Sequence, residues 1–337
     1  MTRIPQLDEA VKHALRAPSV HNTQPWRWHI DTADGVVELY ADQGRRLSAT
    51  DPDGRDLLIS CGAALDHLVV TLAHAGLQAT VLRFPDPENS AHLATVRVGE
   101  ARGAETAALA ELFAAIHRRH TDRRRFSHRP VPSGLIREII DAAARADVVL
   151  QPVQHAQERF AAVLVDAAAR QHWAPGYPAE LQIWTRRHGG ARDGIPSTAI
   201  AQAPTGLPGP SGLRSFPHAE LAQPLPPIGH GLPDDAAAFF VLATAEDRPE
   251  DRLRAGEALS RVLLTATRAG LATTPLSQAT EVAASRELLC EVLGIPEQPQ
   301  LVLRVGWPAT RAAELLDTPR RDLASVLIHG RAPTGSR

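Results

Sequence analysis

Lysine is almost missing from this 337-residue chain, Lys12 being the only one, so arginine carries the positive charge. Abundant alanine and arginine beside so little lysine fit a GC-rich codon bias and point to no chemistry by themselves. An excess of one charge sign is also lacking: the formal net charge is −2 and the pI is near 6.7. That removes the case for binding nucleic acid or an acidic membrane over a broad surface, and any basic feature must act locally. Cysteine is scarce, and Cys61 and Cys290 are far apart in predicted helices, which reads as two buried free thiols rather than a disulfide or a metal pair. The histidines are scattered; the closest, such as His117 and His120, have no carboxylate or thiol neighbours at ligand spacing, so no metal site is expected. No uninterrupted apolar run reaches the ~18 residues of a membrane span. The opening MTRIPQLDEA lacks the apolar core of a signal peptide, and the expectation is a soluble cytoplasmic protein. With 44% hydrophobic and 22% charged residues the composition is that of one large globular domain or two.

What is present is organised around residues 17–28, APSVHNTQPWRW. Pro18, Ser19, Asn22 and Pro25 are turn residues, and they follow Leu7, Val11 and Leu15 at helical spacing. A helix therefore ends in a polar loop, and a mere turn before a strand and a functional loop are both open at this point. Residues 36–40 read as a strand, Asp51-Pro-Asp-Gly54 as a helix start, and 56–75 as a long helix that Gly76 ends with a left-handed cap. Strands over 79–84 and 92–98 complete an α+β unit. Residues 103–120 are helical by periodicity and run into Arg118-Arg-His-Thr-Asp-Arg-Arg-Arg-Phe126. That run is either a solvated helix end or an anion cradle in which Arg119, Thr121 and Arg123 surround one phosphate. Ser133 caps a helix to 144, 148–153 is extended, and 160–173 is a helix or a strand plus a helix. From 174 to about 234 proline and glycine recur, as in a functional lid or a linker. A strand at 236–243, helices at 251–269 and 282–293 that end at Gly270 and Gly294, and a strand at 299–305 then repeat the first unit's order.

The repeat is visible residue by residue. Residues 61–82 align without gaps on 255–276, pairing Gly62 with Gly256, Ala64 with Ala258, Leu65 with Leu259, Thr71 with Thr265 and Ala75-Gly-Leu77 with Ala269-Gly-Leu271. Thr80 pairs with Thr274, and Arg97-Val-Gly99 with Arg304-Val-Gly306. Upstream, the first helix corresponds to 135–144, and Gln24-Pro25 to Gln151-Pro152. The polar loop has no second copy, and the arginine run has no first copy.

With these motifs the chain resembles the FMN-binding nitroreductase superfamily, and within it the fused two-repeat actinobacterial Acg-like branch, over about residues 7–326. Ordinary members are homodimers with FMN at the subunit interface. One subunit gives an Arg-x-Ser-x-Arg phosphate loop, and the other a Pro-Ser-x-x-Asn-x-Gln-Pro-Trp loop along the flavin ring. Arg119, Thr121 and Arg123 match the first motif, with threonine for serine and one extra residue before Phe126; Pro18, Ser19, Asn22, Gln24, Pro25 and Trp26 match the second. A third family element maps to Thr274-Pro275-Leu276-Ser277-Gln278, where the Ser277 amide would donate to flavin N5. A phosphate-side arginine maps to Arg320, with Arg321 an equally placed neighbour.

The resemblance implies a nitroreductase-like α+β fold in two halves, 1–102 with the ring loop and 103–337 with the phosphate loop, forming an internal pseudo-dimer and a monomer in solution. One FMN per chain is expected, since only one of two interfacial sites has both loops. NAD(P)H would reduce the flavin, which would pass hydride to a nitroaromatic or quinone-like acceptor. His21 is a candidate proton donor or else makes a structural hydrogen bond. Trp26 and Trp28 cannot both face a flavin and are expected in the core. The 174–234 insertion would be a lid, with Trp184, Arg186 and the Asp193-Gly-Ile-Pro196 turn near the ring; a closed lid would instead make the protein an FMN store. Neither nucleic acid nor membrane is an expected partner.

Overall fold

The computed structural model describes residues 5–100, 103–154, 156–188, 190–202, 214–224, 235–310 and 312–328. The chain opens with α1 (Pro5–Ala14), whose Leu7, Ala10, Val11 and Ala14 are buried. It passes through the polar loop into β1 (Trp26–Asp31), β2 (Val36–Ala41), the long α2 (Arg55–His74), β3 (Leu77–Arg83) and β4 (His92–Glu100). Two short helices follow, α3 (Ala104–Ala110) and α4 (Phe113–Arg118), in place of the single helix that periodicity predicts. The series then recurs as α5 (Ser133–Ala144), β5 (Val149–Pro152) and, after α6 (Gln157–His172) and α7 (Tyr177–Thr185), β6 (Ala238–Thr244). It ends with α8 (Pro249–Arg268), β7 (Ala272–Leu276), α9 (Gln278–Glu281), α10 (Ala283–Leu293), β8 (Gln298–Gly306) and α11 (Leu323–Val326).

The two antiparallel sheets have matching orders, β1-β2-β4-β3 and β5-β6-β8-β7. Their registers match as well: Thr80 faces Arg97 where Thr274 faces Arg304, and Gln78 faces Gly99 where Ala272 faces Gly306. Each second strand slips at one point, between Leu39 and Tyr40 in β2 and between Leu242 and Ala243 in β6. Because Trp28 pairs with Leu39 and Leu150 with Leu242, Leu150 stands where Trp28 does. Gln151-Pro152 therefore lies downstream of the position equivalent to Gln24-Pro25, and the sequence pairing of those dipeptides is displaced.

Helix α2 is predominantly apolar and buried nearly all round, as suits a helix enclosed by protein. Among the described residues it alone is long and apolar enough to cross a membrane, yet 83% of its apolar window is buried inside the protein. It lies against α8, and the contact is reciprocal. A Cβ on Gly62 would stand 2.0 Å from the Leu253 carbonyl oxygen, and one on Gly256 would stand 2.0 Å from that of Ile59. Backbone approaches backbone there, as only glycine permits. The cores interlock at the same place: Leu253 of α8 joins the core of the first sheet, while Ile59 of α2 joins that of the second. Both helices end at a left-handed glycine, Gly76 (φ +73°) and Gly270 (φ +81°).

Trp26 and Trp28, two apart on β1, share a face, contrary to the expectation that they could not face one way together; the core placement expected of them holds, both being fully buried in the first core. The second sheet is covered on both faces, Phe240 and Leu242 packing toward α8 and Val241 toward α6. That burial makes 157–172 one helix. The Pro/Gly-rich insertion joins β5 to β6, where the first half has only the β1–β2 turn, and it contains a helix of its own, α7. Cys61 is buried and Cys290 partly so, and both are free.

Candidate functional site

The polar loop between α1 and β1 is held in a conformation that side chains resist. His21, Asn22 and Gln24 have φ of +45°, +54° and +51°, a region sparsely used by residues other than glycine and concentrated at functional sites. Two serines support it: Ser19 Oγ accepts from the Gln24 amide (2.9 Å), and Ser60 Oγ of α2 accepts from the Val20 amide (3.1 Å).

Opposite the loop, the chain leaves α4 extended, so alternate residues point to opposite sides. Asp122 and Arg124 pair with each other on one side at 2.8 Å and are buried. Asp122 is also tied to β7, its amide to the Thr273 carbonyl (2.9 Å) and its carbonyl to Thr274 Oγ1 (2.6 Å). Arg119, Thr121 and Arg123 face the other side, and between them and the polar loop lie two cavities. The wide one, about 420 Å³, is lined by Pro18, Ser19 and His21 from the loop, Asp56, Ile59 and Ser60 from α2, and Pro275, Leu276, Ser277 and Gln278 from β7 and α9. The narrow one, about 70 Å³, is lined by Arg16, Asn22, Arg119 and Arg320. Pro18, Ser19, Thr121 and Arg123 line both.

The narrow end is cationic and short of acid. Asp317 is engaged by Arg16 (2.9 Å) and His120 (3.1 Å). Arg119, 7% exposed, has no hydrogen-bond partner at Nε or Nη1 among the described residues, and Arg320 has none at Nε. Burial, followed by the charge of Arg16, pushes Arg119 down to about 10. Burial and then Arg119 push Arg320 to about 9, and burial with Arg214 pushes Arg123 to about 10. Arg321 turns away, bonding the Gln24 and Ser325 carbonyls, so of the two neighbours Arg320 is the one at the cavity.

The insertion roofs the wide cavity with Ile200, Gln202, Arg214 and Phe216. The Arg123 guanidinium lies 5.1 Å from the Phe216 ring centre, and the His21 ring meets Phe216 edge-on at 6.0 Å. Arg214 is fastened to Glu281 and to the Tyr177 hydroxyl (2.7 Å). Glu281 also accepts from Ser277 Oγ (2.6 Å).

Three expected site residues act otherwise than the sequence suggests. Asn22 Nδ2 donates to the Gly194 and Pro319 carbonyls (2.9 and 3.0 Å), and Gln24 Nε2 donates to that of Arg192 (2.8 Å). Both amides rivet the 192–195 turn to the loop; Asn22 still borders the narrow cavity, whereas Gln24 borders neither. His21 makes no structural hydrogen bond: both ring nitrogens are unpartnered among the described residues. Burial, then Arg214, pushes its imidazole down to about 3, so it is neutral near pH 7 and is no source of a proton. Trp184 and Arg186 do not reach the cavities, and Asp193 is held outside them by Arg45 (2.9 Å) and Arg187 (2.7 Å). Sequence reasoning missed Asp56, Arg214, Phe216 and Glu281. Asp56 carried a signal, an acid in a helix's first turn, that reads equally as a helix start. Among the described residues no cluster suits a metal ion.

The family model for the nitroreductase family matches residues 116–307. Two Mycobacterium tuberculosis proteins, both under the provisional name NAD(P)H nitroreductase, align along nearly the whole chain. Rv3131 is 44% identical over 93% of this chain and 88% of its own length. The second, acg, is 37% identical over 97% and 96%. Among solved structures, a nitroreductase with bound FMN from Bacteroides fragilis is similar at 14% identity, covering 65% of this chain and 99% of its own, with a TM-score of 0.41. The chain belongs to the nitroreductase family. Within it, the protein is a member of the Acg-like branch.

Proposed function

We propose that this protein binds one FMN between two duplicated halves and uses it as an NAD(P)H-dependent oxidoreductase toward nitroaromatic or quinone-like acceptors. The observation that carries the reading is a pair of neighbouring cavities that share Pro18, Ser19, Thr121 and Arg123. Buried arginines with unpartnered nitrogens crowd the narrow end, and a largely apolar chamber opens beyond. A dianionic phosphate satisfies the first and a flat heteroaromatic ring the second. Arg119, Thr121, Arg123 and Arg320 would hold the phosphate; Pro18, Ser19 and His21 would lie along one side of the ring, with Pro275, Leu276, Ser277 and Gln278 along the other. When bound, flavin supplies hydride transfer between a nicotinamide and an acceptor. The chain's part is to neutralise the phosphate, orient the ring and exclude water from its edge. The neutral imidazole of His21 offers a hydrogen bond without a charge, and the Ser277 amide would steady N5.

Duplication and an internal pseudo-dimer, divided near residues 102 and 103, are supported by the matching strand orders, the matching slips in β2 and β6, and the reciprocal Gly62–Leu253 and Gly256–Ile59 approaches. The fastening of Arg214 to Glu281 favours a second reading, in which the insertion is a closed lid and the protein stores FMN. Anaerobic mixing with NADPH tests the first reading. A yellow protein whose flavin band bleaches supports the oxidoreductase; a colourless protein that takes up no added FMN would sink the flavin assignment altogether. Colour that persists with NADPH, yet bleaches once Arg214→Ala and Phe216→Ala are combined, identifies the store.

A further inference from the structure

Reducing a nitro group or a quinone takes a proton as well as a hydride, and His21 is neutral. Another group at the cavity wall is better placed. Asp56, in the first turn of α2, is 4% exposed and lines the wide cavity; its Oδ2 meets no donor among the described residues, and its side chain lies within hydrogen-bond reach of the Glu281 carboxylate. Three charged groups lie around it, Glu281 from α9, Asp51 from the turn before α2 and Arg214 from the insertion, and His21 of the polar loop lines the same cavity. The cation does not serve Asp56 directly. Arg214 is bonded to Glu281, which also accepts from Ser277 Oγ (2.6 Å) and from Gln171 Nε2. Glu281 thus keeps its negative charge, its pKa lowered by these donors although burial opposes them. Asp56, desolvated and facing two carboxylates, is held well above the usual carboxylate range, which favours its protonated form.

We propose that Asp56 is the proton donor to the acceptor bound in the wide cavity, an assignment that rests on the oxidoreductase reading above. The balance closes on a quinone. Two electrons and one hydrogen arrive as hydride, originally from NAD(P)H through the flavin. The Asp56 O–H bond breaks as the second quinone oxygen gains its hydrogen, and the hydroquinone leaves. The carboxylate, repelled by Glu281, is reprotonated from water. With a nitro compound the same hydride and proton break one N–O bond and release water with the nitroso product.

The test uses FMN-loaded protein reduced anaerobically with dithionite, so that access of nicotinamide is not at issue, and mixed with menadione. Asp56→Asn should bind FMN with the wild-type spectrum, and be reoxidised about 100-fold more slowly, the lower range for a lost general acid. Asp56→Glu should recover most of the rate. Infrared spectra of the loaded wild type at neutral pH should contain a protonated carboxyl band that Asp56→Asn lacks and Asp56→Glu shifts. Reoxidation of Asp56→Asn at the wild-type rate overturns the assignment while leaving the flavin reading intact. So does the absence of that band, or a band unmoved in Asp56→Glu, which carries the test should the Asn variant not fold. Wild-type protein that binds no FMN, or whose reduced flavin menadione does not oxidise, overturns the oxidoreductase reading and this one with it.

Discussion

Arg119 poses the energetic question of this site at its smallest. A buried guanidinium without an acid costs folding free energy. Its folded pKa of about 10 lies below the usual arginine value because burial, and then Arg16, disfavour the charged form. Near pH 7 it is charged both folded and unfolded, so the folded, ligand-free protein bears the whole penalty. Arg119→Met should therefore act with opposite signs on two measurements: the thermal midpoint of FMN-free protein rises or stays level, while FMN affinity falls by about 1.5–3 kcal/mol, the range for hydrogen bonds to charged groups. Calorimetry of binding and melting of the free protein read the two separately. A lowered midpoint with unchanged affinity would make Arg119 a structural residue and move the phosphate elsewhere. The side on which Arg119, Thr121 and Arg123 meet was legible from their spacing alone, because an extended chain alternates. The work of Asn22 and Gln24 was not, since their partners at 192 and 194 come from the other half of the chain. Arg214 and Glu281 stayed hidden for the same reason, as their meaning depends on a pairing across 67 residues.

At the scale of elements, the crossing of α2 and α8 holds the site's two sides at a fixed separation. The polar loop is braced by Ser60 of α2, while β7, which carries Pro275 and Leu276, leaves α8 through Gly270. Either helix moving outward would widen the cavity. Gly62→Ala and Gly256→Ala each put a methyl group onto a backbone carbonyl oxygen of the facing helix, where no side-chain rotation gives relief. Each should lower stability by about 3 kcal/mol or more, at or beyond the upper end for overpacking, read as a shifted midpoint in urea. Substitution at Gly54, which has open space around it but a φ of +66°, should cost about 1 kcal/mol; equal losses at the three positions would show that helix approach is not what selects glycine. The helices themselves were legible from apolar spacing and from the Ala-Gly-Leu that closes each, down to the left-handed caps. Their contact was not, because the pattern shows that a helix is buried and not what buries it. The insertion was misread in part for a related reason. α7 begins after Gly176 with Pro178 in its first turn, a legitimate helix start that the surrounding prolines and glycines disguised.

For the whole molecule, duplication followed by divergence predicts a stoichiometry. A two-fold arrangement creates two equivalent places between the halves, and the alignment of the long helices identifies what stands in the second. Ser277 maps to Arg83, Asp56 to Glu250 and Ser60 to Arg254. There Arg83 forms a bidentate pair with the buried Glu257 (2.8 and 3.0 Å), and Arg254 pairs with Glu250 (3.0 Å). Paired charged side chains therefore stand where the first place has the small polar groups of its ring chamber, and a flat apolar ring has no comparable chamber to enter. The polar loop with its three left-handed residues has no full counterpart there either, Asp147 alone being left-handed just before β5. Titration of FMN-free protein should therefore reach its end point at one FMN per chain, and sedimentation should give the mass of a single chain before and after. Two FMN per chain would mean that the second place is still a site; half an equivalent, with a doubled mass, would mean that the cofactor lies between two chains and that the internal junction is not where it binds.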